Sequence, residues 1–169
     1  MSTRIRAELP SDLAAIRAVN EAAFASPAEA DLVDTLRCES TPIVSLVGAE
    51  NEIVVGHILF TPATLDGQPR LRLMGLGPMA VAPSHQRRGI GSALVRAGID
   101  ACAAIGTEAV VVLGHPSFYP RFGFAPSHRF GIGCEFDAPP EVFMVLELAP
   151  RALHGVSGTV HYHAAFKGV

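Results

Sequence analysis

A glycine-rich loop ahead of a helix pattern carries the clearest chemical signal in this sequence. The loop reads Gln86-Arg87-Arg88-Gly89-Ile90-Gly91, and apolar residues at helical spacing follow it to about Ile105. The first amides of a helix have no partner inside it, and they lie at the positive end of the helix dipole, equivalent to about +0.5 charge. Two arginines there oppose the dipole unless an anion binds. The loop therefore predicts an anion site, typically for phosphate; the alternative is a capped helix with solvated arginines.

Two well-known phosphate-binding motifs do not fit this loop. Gly91-Ser92 lacks the Lys of the P-loop pattern G-x-x-x-x-G-K-S/T, and Gly89–Leu94 departs from the dinucleotide fingerprint at its last position. Gly75–Ala80 matches G-x-G-x-x-A in its letters, but Val81-Ala82-Pro83 follows it instead of a helix. We interpret that match as a coincidence. The sequence disfavours a nucleotide triphosphatase and a Rossmann dehydrogenase.

Helix and strand patterns alternate around the loop. Two helices are predicted near the start, one after Ser11 as N-cap and one after Pro27. Strands are predicted over Ile5–Leu9, Ile43–Val47, Ile53–Thr61, Leu71–Val81, Ala109–Leu113 and Val142–Leu148, with a turn at Gly48–Asn51. Gly75, Gly77 and Pro78 interrupt one strand, where we expect a bulge or a splayed edge. The mixture indicates an α/β or α+β protein.

Length and composition narrow the class of protein. The chain has 169 residues, of which 49% are hydrophobic and 17% charged, and its net charge is −3. This length favours one domain over residues 1–169. The apolar composition argues against disorder, and the missing basic surplus argues against a nucleic-acid binder. The most apolar helix candidate, Ala93–Ile105, includes Arg96 and Asp100 and is shorter than the about 20 residues of a membrane span.

The N-terminus and the cysteines suggest a cytoplasmic protein. No apolar stretch typical of a secretory signal follows the first residues. Cys38, Cys102 and Cys134 are odd in number and widely spaced, which argues against a disulfide framework or a zinc finger. We expect these thiols to be buried small apolar groups.

Several segments together resemble the GCN5-related N-acetyltransferase (GNAT) superfamily. Gln86–Gly91 is similar to its Q/R-x-x-G-x-G/A signature, Gly77–Pro83 to the strand before it, and Tyr119–Phe124 to its Y-x-x-x-G-F segment. Arg4–Ile16 looks like a common opening of such enzymes. The amino-acid sequences of Leu113–Phe124, and of Val156–Val160 near the end, resemble those of the YhbS-like bacterial branch.

The resemblance implies a fold, a co-substrate and a set of binding residues. The expected fold is a mixed, mostly antiparallel central sheet flanked by helices, with a family-specific extension from about residue 150. Acetyl-CoA is expected to lay its pyrophosphate on the amides of Arg87–Ser92 and to pair its pantetheine arm with backbone near Met79 and Val81. The implied cofactor-binding residues are Met79, Ala80, Val81, Gln86, Arg87, Arg88, Gly89, Ile90, Gly91 and Ser92.

The same resemblance assigns Tyr119 as the acid that protonates the leaving thiolate after an amine attacks the thioester. The alternative for Tyr119 is a packed aromatic among phenylalanines. The strand Leu71–Val81 holds no Asp or Glu to take the amine proton, and His57, His115, Glu141 or a water chain stay open for that role.

The remaining features and alternatives are weaker. His161 and His163 could share a strand face, but no third ligand has suitable spacing, so we expect no metal. Gly155–Thr159 does not match the G-x-S-x-G elbow of hydrolases. A non-catalytic acyl-CoA-binding sensor or interaction module is the rival function. The expected partners are acetyl-CoA and an amine acceptor, without nucleic acid or membrane, and exposed edge strands admit a homodimer.

Overall fold

The computed structural model describes residues 2–169, which form three α-helices and nine β-strands. The helices are α1 (Leu13–Phe24), α2 (Ala28–Glu39) and α3 (Ile90–Ala104). The strands are β1 (Arg4–Ala7), β2 (Val44–Glu50), β3 (Ile53–Leu65), β4 (Leu73–Val81), β5 (Ala109–Leu113), β6 (Ala125–Pro126), β7 (Ile132–Cys134), β8 (Phe143–Glu147) and β9 (Gly158–His161). None of these helices is long and apolar enough to cross a membrane.

The strands form one mixed, mostly antiparallel sheet, as expected. Its order is β1-β2-β3-β4-β5-β8-β6, with β9 beside both β3 and β7. The pairs β4–β5 and β7–β9 are parallel, whereas β1–β2, β2–β3, β5–β8, β6–β8 and β3–β9 are antiparallel. The mixture of helices with this sheet confirms the predicted fold class.

The chain divides into two compact units. The first contains the described residues up to Thr61, together with Gly77–Ala101 and Ala164–Val169. The second contains Pro62–Leu76 and Cys102–His163. The single domain expected from length stays a prediction.

In the first unit, α1 and α2 cover one face of the strands. Ile16 and Val19 of α1, with Leu36 of α2, pack against Val47 and Leu59 in a buried apolar cluster. Both helices have the apolar periodicity that the sequence predicts, and their apolar stripes supply these side chains.

The other face of the same strands packs against α3 through glycines. A Cβ atom on Gly56 would lie 3.1 Å from both Ile90 Cγ2 and Leu94 Cδ1. A Cβ atom on Gly98 would lie 2.2 Å from Cε1 of Phe60. Neighbouring strand residues point to opposite faces, so Leu59 meets α1 and α2 while Phe60 meets α3. Because Gly56 and Gly98 have no side chains, α3 can approach β3 closely.

Two local predictions from the sequence are wrong. Ser11 is not the N-cap of α1, because Asp12 occupies that position and its carboxylate accepts the backbone N–H of Leu9 at 2.6 Å. Gly48 does not form the first hairpin turn, since β2 continues to Glu50 and the turn falls at Asn51 and Glu52, where φ is 50° and 65°. A Cβ atom on Gly48 would lie 3.3 Å from the Ile90 side chain, so close packing explains this glycine.

The second unit is built on β5, which is buried between two partners. Leu73–Leu76 of β4 pair in parallel with Ala109–Val112, and β8 pairs antiparallel on the other side. Directly after that parallel ladder, Gly77 has a φ of +146°, a conformation that favours glycine. Strands β6, β7 and β9 of this unit were not predicted from the sequence; they contain only two to four residues each.

We expect Gly98→Ala to destabilise the protein although alanine is the better helix former by about 1 kcal/mol. The new methyl group meets the fully buried Phe60 ring, and overpacking of this kind costs about 1–3 kcal/mol. Urea denaturation measures the free energy of unfolding. As a control, the same substitution in a Phe60→Leu background should become stabilising relative to Phe60→Leu alone. A more stable Gly98→Ala protein in the wild-type background would contradict the packing described here.

Candidate active site

The predicted anion loop lies between the end of β4 and the start of α3 and is open to solvent. The loop residues Gln86–Gly89 are exposed, and α3 begins at Ile90. Arg87 and Gly89 have positive φ values of 63° and 84°. A Cβ atom on Gly89 would meet nothing within 4 Å, so open space lies above this backbone. This geometry gives an anion direct access to the first amides of the helix.

Gln86 ties this loop back to the strand. Its side-chain amide donates to the carbonyl oxygen of Val81 at 3.0 Å. Farther along, the amide of Ala93 donates to the carbonyl of Gly89 at 3.0 Å and closes the first turn of α3. The Gln86 side chain therefore shapes the loop and occupies one of the strand carbonyls.

A buried carboxylate that was not predicted from the sequence contacts two side chains of the loop region. Glu50, 6% exposed, accepts a hydrogen bond from Thr3 Oγ1 at 2.8 Å. Its two oxygens also lie 3.4 Å from Nη2 of Arg88 and 3.3 Å from Nε2 of His85. The Thr3 hydrogen bond, together with the charges of Arg88 and His85, lowers the pKa of Glu50 against the opposing effect of burial.

The two loop arginines consequently differ. Arg88 is held by Glu50, whereas Arg87 is exposed and has no ion-pair or hydrogen-bond partner within residues 2–169. No spacing in the sequence signals Glu50, because its partners come from two separate stretches of chain that are both distant from it, Thr3 in one and His85 and Arg88 in the other.

The strand residues expected to contact a co-substrate divide by face. Ala80 is 3% exposed and belongs to the apolar cluster with Val47 and Leu59. Met79 and Val81 are half-buried and alternate with it. Any contact that Ala80 makes with a ligand must therefore use its backbone.

Tyr119 lies in the second unit, at the start of a short 3-10 helix, Tyr119–Phe122. Its ring covers Gly114, where a Cβ atom would be 2.2 Å from Cε2 of the tyrosine. The rings of Phe118 and Phe124 pack edge-on against it, with centroids 5.0 and 5.7 Å away. The side chain is 7% exposed, and burial raises the pKa of Tyr119 to about 12. Its hydroxyl therefore stays protonated at neutral pH.

His57, one of the open candidates for a base, is a core residue. It is fully buried in the first unit, with Ser45 Oγ 2.9 Å from Nε2 and Asn20 Nδ2 3.4 Å from Nδ1. Burial lowers the pKa of His57 to about 4. An inaccessible imidazole of such low basicity is unsuited to accepting a proton from a substrate amine. His115 and Glu141, by contrast, are exposed.

The cysteines and the C-terminal histidines fill other roles. Cys102 is buried as expected, but the prediction of burial is wrong for Cys38, which is exposed, and Cys134 is only partly buried. His161 pairs with Asp66 at 3.0 Å and lies 3.6 Å from Glu135. Residues 2–169 contain no group of three or more His, Cys, Asp or Glu side chains that could hold a metal ion.

Comparisons with known proteins place this chain among acetyltransferases. The sequence profile of the Acetyltransferase (GNAT) family matches residues 13–124. N-acetyltransferase YhbS of Escherichia coli (strain K12) is 37% identical over 163 residues, which cover 96% of this chain and 97% of that protein. N-acetyltransferase YjhQ of the same strain is 44% identical over 119 residues, covering 69% of this chain and 66% of YjhQ.

Solved structures show the same similarity. The crystal structure of E. coli YhbS in complex with CoA is 36% identical, has a TM-score of 0.91, and covers 98% of this chain and 92% of that chain. A GNAT family acetyltransferase from Brucella melitensis in complex with acetyl-CoA, also 36% identical, has a TM-score of 0.80 and covers 98% of both chains. The exposed loop of Gln86–Gly89, the fold and these matches lead to one conclusion: the chain belongs to the GNAT family of acetyltransferases.

Proposed function

We propose that this protein transfers the acetyl group of acetyl-CoA to a primary amine of a small-molecule or peptide acceptor by direct attack in a ternary complex. The exposed loop at the start of α3 carries the proposal, because it combines free amides, an unpaired Arg87 and open space above Gly89. Relatives bound to CoA and acetyl-CoA support the choice of ligand.

The loop residues suit a pyrophosphate. The amides of Gly89–Ser92 converge at the positive end of a 15-residue helix, and charge-assisted N–H bonds to phosphate are about twice as strong as neutral ones. Arg87 adds a mobile cation, while Glu50 keeps Arg88 near the loop. Ile90 faces the core instead and anchors the first turn.

Bound acetyl-CoA supplies a thioester whose carbonyl an amine can attack. In our proposal the Tyr119 hydroxyl donates a hydrogen bond, and then its proton, to the sulfur as the C–S bond breaks. A thiol has a pKa of about 8.5, whereas burial raises the pKa of Tyr119 to about 12. Since proton transfer from Tyr119 to a free thiolate would be uphill, it must be coupled to the return of a proton to the Tyr119 oxygen. The amine loses that proton as its nitrogen bonds to the carbonyl carbon, and the open base or water chain passes it to Tyr119, which is protonated at the end.

The group that takes the amine proton is not assigned. Burial and a low pKa exclude His57, whereas His115, Glu141 and a water chain are still candidates for this role. The cytoplasmic location and the homodimer expected from the sequence stay predictions.

Gly89→Val should abolish CoA binding by the loop. Its methyl groups would enter the open space above the backbone, where we place the phosphate. For the wild type, CoA at about 100 times its Kd should raise the free energy of unfolding by about 2.7 kcal/mol, measured as a shift in Tm. Gly67→Val is the matched control, because Gly67 has a φ of +78° and the same open surroundings but lies in a turn of the second unit. If wild-type protein showed no shift with CoA, the proposed function would be wrong.

Tyr119→Phe should lower kcat by about 10²–10⁴-fold and leave the Kd for CoA unchanged, because the ring keeps its packing while the proton donor is lost. The assay incubates acetyl-CoA with a panel of primary amines and follows acetylated product by mass spectrometry, since the exposed Cys38 would consume thiol reagents.

Tyr162→Phe is the control, as it removes a second buried tyrosine hydroxyl of the same unit; its kcat should stay within a few fold of wild type. Full activity of Tyr119→Phe would exclude Tyr119 as the acid. CoA binding without acetylation of any amine would favour the rival function, a non-catalytic acyl-CoA sensor.

A further inference from the structure

A cavity in the second unit lies outside the groups that the proposed reaction uses. It has a volume of about 460 Å³ and is formed by the segment around Arg129 and the segment that follows β8. Cavities of about 300–1,000 Å³ are typical of small-molecule sites. Arg151, Leu153 and His154 contribute to its lining, so it involves the C-terminal segment to which the family resemblance assigned no role.

The cavity brings together two arginines that have no protein partner. The guanidinium groups of Arg129 and Arg151 make no ion pair or hydrogen bond with any of residues 2–169, and both residues are exposed. Two other arginines of this unit are engaged: Arg72 donates to the carbonyl of Gly106 at 2.6 Å, and Arg121 lies 4.8 Å from the centre of the Phe118 ring. The cavity therefore brings two unengaged guanidiniums to one concave surface.

One carboxylate also lines this cavity, and it already accepts a hydrogen bond from the protein. Glu147 accepts the backbone N–H of Leu153 at 2.9 Å. The local charge from Arg129, Arg151 and Glu147 is thus positive, and His154 adds a further possible donor. A bound anion would find more positive than negative charge.

The lining selects among anions. A carboxylate has two oxygens and matches one arginine fork, whereas the three terminal oxygens of a phosphomonoester can accept from two guanidiniums. The half-buried Phe130 ring and the buried Leu153 side chain supply an apolar wall that inorganic phosphate would not use. A phosphorylated organic molecule fits both parts of the lining.

The cavity is separate from Tyr119 within its unit. Glu147 at the cavity pairs with Ala109, whereas Phe143 pairs with Leu113, which directly precedes the Gly114 covered by Tyr119. Phe143 and Glu147 are four positions apart on β8, which places them roughly 14 Å from each other. A ligand in the cavity would therefore not occupy the surroundings of the tyrosine.

We propose that the cavity lined by Arg129, Arg151, His154 and Phe130 is a second binding site, for the phosphomonoester group of a small organic molecule. The two arginines bind the phosphate, and the apolar wall contacts the organic part. The proposal does not rest on acyl transfer, since all of its residues lie outside the loop and away from Tyr119.

Calorimetric titration of the full-length protein with AMP tests this proposal, in the presence of saturating CoA so that any nucleotide site at the loop is filled. We expect saturable AMP binding that adenosine and inorganic phosphate match only at concentrations about tenfold higher or more. Arg129→Gln and Arg151→Asn should each weaken AMP binding by about tenfold. Asparagine is chosen because Arg151 has a φ of +60°, which asparagine tolerates.

Arg70→Gln is the control, because Arg70 is an exposed arginine of the same unit outside the cavity; it should leave AMP binding unchanged. Thermal unfolding checks that each variant folds. If Arg151→Asn does not fold, Arg129→Gln alone tests the proposal. The proposal would be overturned if AMP failed to saturate up to about 10 mM, if neither cavity variant weakened its binding, or if Arg70→Gln weakened it equally.

Discussion

Close packing between α3 and strands β2 and β3 is the constraint on which the proposed co-substrate loop depends. Gly56 and Gly98 leave space for the side chains of Ile90, Leu94 and Phe60. Residues 82–89 connect the end of β4 to the start of α3 and include a 3-10 helix at Pro83–His85. The exposed loop of Gln86–Gly89 completes this connection, and the glycine at its end adopts the positive φ that this path requires.

Electrostatics around the loop complete this arrangement. The net charge of −3 concealed a local pairing in which a buried Glu50 holds Arg88 and His85 while Arg87 stays free. A carboxylate beneath a phosphate site would weaken anion binding through repulsion, but here the Arg88 guanidinium offsets its charge and the Thr3 hydroxyl donates a hydrogen bond to it. Arg88 is therefore restrained by its ion pair with Glu50, whereas the Arg87 side chain is free to adjust to a bound anion.

Much of the fold could be predicted from local patterns, because periodicity and turn chemistry report on neighbouring residues. Helix α2 and strand β5 follow their apolar patterns, and the family signature located Tyr119 and the loop. The errors arose where distant contacts decide. Gly48 resembled a turn residue but allows close packing against α3. Asp12, and not Ser11, is the N-cap of α1, and Asp12 also pairs with Arg6 at 2.7 Å. Glu50 and the cavity at Arg129 had no signal at all, since separate segments of chain create them.

In the proposed function, the amides at the start of α3 receive the pyrophosphate of CoA. Backbone amide chemical shifts of ¹⁵N-labelled protein during titration with CoA test it most directly. We expect the largest shifts at Arg88–Ser92, with saturation at one CoA per chain. If these amides kept their shifts while CoA bound and perturbed other residues, the loop would not be the phosphate site.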